Sequence, residues 1–145
     1  MREIEFRGRN GTEGSWYYGD LKVKRGEPYI VPRYGRDICF KVEPETVGQY
    51  IGLKAADSIR RRIVNQRGEK DLRVFEGDIV LMRGIPWVVI RESLTFVLDP
   101  GNGNARLFIN EGLFEKNPVK IIGVIHDNPE LLEDIGGDSQ KERKG

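Results

Sequence analysis

The sequence predicts a small, mostly β protein with α+β character, and three observations carry that prediction. Short apolar segments alternate with polar residues at a period of two, as in Ile4/Phe6 and Ile38/Phe40/Val42. Turn-forming pairs such as Asn10-Gly11, Gly84 and Gly101-Asn102 recur between those segments. Only two stretches have helical texture, 55–66 and 129–135.

From the N-terminus, Ile4 and Phe6 alternate with charges and predict a half-buried strand with the two apolar side chains inward. Asn10-Gly11 followed by Gly14 predicts a reversal, and Trp16 to Val23 a return strand with Gly19-Asp20 as a bulge. Pro28-Tyr29-Ile30-Val31-Pro32 is a short segment with proline at each end, which predicts an edge strand. Ile38, Phe40 and Val42 then share a face opposite Cys39. Ala55 to Gln66 places Ile59, Ile63 and Val64 at helical spacing, with Asp57 or Ser58 as a cap. Beyond Phe75, Ile79–Met82, Trp87–Ile90, Leu94–Leu98, Arg106–Ile109 and Val119–Ile125 predict short strands of a small barrel or strongly twisted sheet. Asn128-Pro129 opens a final helix with Leu131, Leu132 and Ile135 on one face. The expected organisation is a β-rich region 1–54, a basic, helical insertion 55–74, a region 75–135 of strands and the final helix, and a disordered tail 136–145.

Composition narrows the function classes. The 145 residues carry 32% charged side chains and a formal net charge of +1, unlike a strongly basic polyanion-coating protein. The one cysteine, Cys39, excludes an intrachain disulfide, and the charged Met1–Glu5 segment is unlike a signal peptide. The longest apolar runs are too short for a bilayer, so a cytoplasmic protein without a membrane role is expected.

No catalytic set is visible. His126 is the sole histidine and only Cys39 could join it, which is too few ligands for a zinc site and a poor basis for nucleophilic catalysis. Glu43, Glu45, Glu76 and Asp78 sit beside proline or glycine, where turn and capping roles are expected. Gly101-Asn102-Gly103-Asn104 lacks the lysine of a phosphate loop. An enzyme, a cofactor and a small-molecule substrate are therefore not expected. Arg60, Arg61, Arg62, Arg67 and Arg73 crowd one stretch with Lys70 and are the candidate phosphate contacts of a nucleic-acid-binding module. Trp16, Tyr17 and Tyr18 are candidates for a stacking platform, though core packing is the plainer expectation; Trp87 is expected in the core. The leading expectation is a non-enzymatic protein-interaction or self-assembling module, using edges such as Pro28–Pro32 to reach a protein partner or a second copy.

Several blocks together resemble the YopX family. They are Met1–Gly8, Trp16-Tyr17-Tyr18-Gly19-Asp20-Leu21, Pro44–Lys54, Phe75-Glu76-Gly77-Asp78-Ile79-Val80, and Ile122-Gly123-Val124-Ile125-His126-Asp127-Asn128-Pro129-Glu130-Leu131-Leu132. They occur in family order and cover the chain to about Ile135. The resemblance implies a protein of bacteriophages, prophages and related mobile elements, working in a bacterial host. It also implies an irregular N-terminal region followed by an SH3-like barrel over Phe75–His126. It implies no activity and no site residues. The segment Ala55–Val74 is longer than the short turn usual in the family.

Overall fold

The computed structural model describes residues 4–34, 37–59, 70–101 and 105–132. The chain divides into two compact units, Met1–Gly52 and Leu53–Gly145. The described structure is mostly β and contains two sheets.

The first unit is built from β1 (Phe6–Arg9), β2 (Trp16–Lys24), β3 (Glu27–Val31), β4 (Phe40–Lys41) and β5 (Gly48–Lys54), which runs to the unit boundary and two residues beyond. Within the unit the strands lie in the order β4-β3-β2-β1-β5. The Asn10 turn forms as expected. Asn10 Oδ1 accepts from the amides of Thr12 and Glu13, and Gly14 takes a φ of 75°.

Gly19-Asp20 is not a bulge. β2 pairs with β1 up to Gly19 and with β3 from Asp20 onward, so the strand changes partner there. A Cβ on Gly19 would lie 2.1 Å from the Val31 carbonyl oxygen, so only glycine allows that passage. The edge expected at Pro28–Pro32 is also corrected. β3 pairs with β2 on one side and β4 on the other, and Ile30 is fully buried. Pro28, the one proline within β3, has no N–H to give, but its carbonyl still accepts from the Val42 amide.

The alternation in β1 is real, but its faces are reversed. Glu5 and Arg7 are the buried side chains, while Ile4 is 60% exposed. The consecutive amides of Val42 and Glu43 then donate to Pro28 and Arg9, stapling the β3 side of the curled sheet back to β1. Gly8 makes room for this, since a Cβ there would meet the Val42 side chain at 2.7 Å.

The second unit contains β6 (Asp57–Ser58), β7 (Arg73–Phe75), β8 (Asp78–Met82), β9 (Ile85–Glu92), β10 (Thr95–Asp99), β11 (Leu107–Phe108), helix α1 (Glu111–Lys116) and β12 (Lys120–Val124). Its sheet runs β11-β10-β9-β8-β12-β6. The two-residue turn Arg83-Gly84, with φ of 54° and 77°, matches the hairpin twist between β8 and β9. Ile79, Val89 and Ile121 are fully buried. Ile79 pairs with Val88, so it and Val89 face opposite sides, and β8 is buried on both faces.

The sheet does not close into a barrel. The free side of β12 is taken by β6, which pairs with it in parallel, so β11 is left as an edge. The helix cap expected at Asp57 or Ser58 is therefore replaced by a strand, because the amides of Ala56 and Ile59 find carbonyls on Val119 and Ile121. The rest of the expected helix, 60–66, lies outside the described residues, as do the tail and Asn102–Asn104. Helix α1 was not expected. Asn110 caps it by accepting the Leu113 amide at 3.0 Å, and Phe114 is its buried anchor. At the end of the described chain, Glu130–Leu132 are helical. The Asn128 carbonyl accepts the Leu131 amide, while the Asn128 side chain reaches back to the Val124 amide.

Candidate functional site

Of the arginines singled out in the sequence, Arg60, Arg61, Arg62 and Arg67 lie outside the described residues. Arg73 is described and is 92% shielded from solvent, with only 8% exposed. Its Nε and Nη2 donate to the two oxygens of the buried Asp71 carboxylate at 2.9 and 3.1 Å. Its guanidinium lies 5.4 Å from the Phe75 ring centroid. A charge held this way fixes the start of β7 and is not presented to a phosphate.

The aromatic triplet is engaged within the chain. Tyr17 stacks on Phe40 with centroids 3.9 Å apart and planes 6° from parallel. Its hydroxyl donates to Glu13, which together with partial desolvation raises the Tyr17 pKa above the ordinary phenol value. The Arg7 guanidinium sits 5.0 Å from the Trp16 ring centroid. Trp87 is only half-buried, contrary to expectation, and its indole N–H donates to the Met82 carbonyl at 3.4 Å.

Of the carboxylates beside glycine and proline, Asp78 takes the capping role expected of it, whereas Glu43 makes an ion pair and no cap hydrogen bond. The fully buried Asp78 accepts the Phe75 amide at 2.8 Å. Between them, Gly77 donates to the Val89 carbonyl and accepts from the Ile125 amide, tying β9 to the end of β12. Glu43 pairs with Arg9 at 3.3 Å, and Thr46 Oγ accepts the Arg9 amide while donating to the Glu43 carbonyl. Gly123 leaves space for Leu131 and Asn128, since a Cβ there would lie 2.7 Å from the Leu131 side chain. Cys39 is a free thiol in the first unit and His126 lies in the turn after β12 in the second. Among the described residues no group of three or more His, Cys, Asp or Glu side chains could hold a metal ion, and no helix is long and apolar enough to cross a membrane.

One cluster was missed in the sequence. Lys22, Tyr29 and Lys41 occupy one row across β2, β3 and β4. The next row is Lys24 opposite Glu27, and Arg25 stands at the hairpin tip with a φ of 51°. Lys24 Nζ lies 5.7 Å from the Tyr29 ring centroid. Lys41 pairs with Glu27 at 3.1 Å, and Arg33 lies 3.7 Å from Asp20 on the same hairpin. The face thus carries five cations against two carboxylates. The Lys-x-Lys spacing and the Arg25-Gly26 turn were visible in the sequence, but the row needs the register of three strands.

The fold defines a two-unit, mostly β protein whose most recognisable motifs are consumed in turns, staples and strand junctions. The chain belongs to the YopX family: the family model described as YopX protein matches residues 5–133. A comparison with curated proteins finds no match.

Proposed function

We propose that this is a non-enzymatic accessory protein of a phage- or prophage-type mobile element, acting in the bacterial cytoplasm by pairing with a second copy of itself. Membership of the YopX family supports the mobile-element origin. The β11-β10-β9-β8-β12 order, with helix α1 before β12, supports an SH3-like module in the second unit, open rather than closed. The absence of catalysis is inferred from the work its polar groups already do, since Asp71, Asp78 and Thr46 each hold a backbone amide.

The observation that carries the pairing is the β11 edge. Among the described residues it is hydrogen-bonded to β10 alone, and it presents Phe108 at 69% exposure. An uncovered strand edge pairs readily with another strand, and across a two-fold axis it can pair with its own copy. Phe108 would add apolar burial to the new strand bonds. Light scattering after size exclusion tests this. The expected result is a concentration-dependent dimer that Phe108→Asp converts to a monomer with an unchanged circular dichroism spectrum. A chain that stays monomeric throughout the micromolar range rules the reading out.

A further inference from the structure

We propose that the outer face of the β2–β3 hairpin, formed by Lys22, Lys24, Arg25, Tyr29 and Lys41, binds single-stranded nucleic acid. This surface lies in the first unit and is independent of the pairing edge in the second. Lys22, Lys24, Arg25 and Lys41 are all exposed, and Tyr29 is half-buried in their midst. A half-buried ring is fixed in place by the sheet while its outer side stays available for stacking. The Lys24 ammonium lies over that ring, which marks the ring as open to a cation or a base. A base stacked there frees the Lys24 ammonium for a phosphate.

The charge geometry favours a strand-like polyanion. Lys22 and Lys24 are two residues apart on one face of β2, about 7 Å along the strand. Lys41 lies two strands from Lys22, with Tyr29 between them. Cations therefore flank the aromatic on both sides, as a backbone running past a stacked base requires. The two carboxylates of the face are already paired with Lys41 and Arg33, so neither opposes an incoming phosphate alone. A single strand fits better than a duplex, because a duplex keeps its base faces stacked on one another and offers nothing to Tyr29. The chain's net charge of +1 makes the attraction local to this face.

The test is fluorescence anisotropy of the full chain with labelled oligothymidylate and with a duplex of equal length, over a salt series. Oligothymidylate is expected to bind at low ionic strength, more tightly than the duplex. The logarithmic salt slope for three neutralised phosphates is about −2. Lys22→Ala with Lys24→Ala should weaken binding about tenfold and reduce the slope by about 1.4. Tyr29→Leu keeps apolar bulk without a π face and should cost about tenfold, while Tyr29→Phe should bind like the parent. Circular dichroism of each variant establishes that it is folded. No binding at low ionic strength overturns the proposal, as does tighter binding of the duplex. So does a signal lost in the triple variant Arg60→Ala, Arg61→Ala, Arg62→Ala but unchanged in the hairpin variants.

Discussion

The two units bury apolar and polar side chains in different proportions. In the second, apolar side chains such as Val80, Val89, Leu98 and Ile121 far outnumber the buried polar ones, Ser58, Asp71, Arg73 and Asp78, and β8 is buried on both faces. In the first, the described buried set mixes Ile30, Val42, Tyr50 and Ile51 with Glu5, Arg7 and Thr46. Its curl depends on glycines that let backbones approach and on amides donated singly across strands. Apolar burial is non-directional and tolerates redistribution, whereas a hydrogen-bonded staple is lost with one atom. The first unit should therefore be the more sensitive to isosteric polar changes, and the second to lost volume.

The largest expected effect is on the second unit. Ile121→Ala removes methylenes from a fully buried site and should destabilise it by about 2–5 kcal/mol in urea denaturation. A cost below about 1 kcal/mol would mean that this core is loosely packed, and the contrast between the units would collapse. Next comes Thr46→Val, which preserves shape but removes the acceptor of the Arg9 amide and the donor to the Glu43 carbonyl. A loss of about 1–3 kcal/mol is expected, because a shielded amide is left without its partner. A neutral result would show that the Thr46 hydroxyl follows the curl of the sheet without causing it.

The smallest effect is electrostatic and concerns β6. Lys70 Nζ donates to Asp57 at 2.9 Å, and this bond, with a second from the Ser58 amide, lowers the Asp57 pKa below the ordinary carboxylate value. A carboxyl whose folded pKa is below its unfolded one adds stability above the unfolded value, and that stability fades as pH falls through the folded value. The pair is exposed, so the gain is small and salt-sensitive. Lys70→Ala should move the Asp57 titration, followed by NMR, upward toward the ordinary carboxylate range. An unmoved titration would assign the shift to the Ser58 amide and the nearby Lys120 charge.

Much of the architecture was legible in the sequence where the cause is local. The Asn10 turn, the Gly84 reversal and the capping role of Asp78 each depend on residues within a few positions of one another. The α1 cap is as local, since Asn110 sits three residues before the amide that it satisfies, yet the helix was not expected, because the run is only six residues long and its periodicity is weak. The candidate surface was less legible. Lys22 and Lys41 are far apart in the chain and meet only through Tyr29. Arg73 stood out by charge, yet its carboxylate partner two residues away removes it from any surface role.

By itself, then, the sequence determined the β class, the turns and the family, because dihedral preference and period-two alternation act over a few residues. Tertiary structure decided which face of β1 is buried, that β3 is interior while β11 is an edge, and that Asp57–Ser58 form a strand. Alternation states that two faces differ, not which of them meets the core. Whether a backbone amide is free or paired depends on a strand that can lie dozens of residues away.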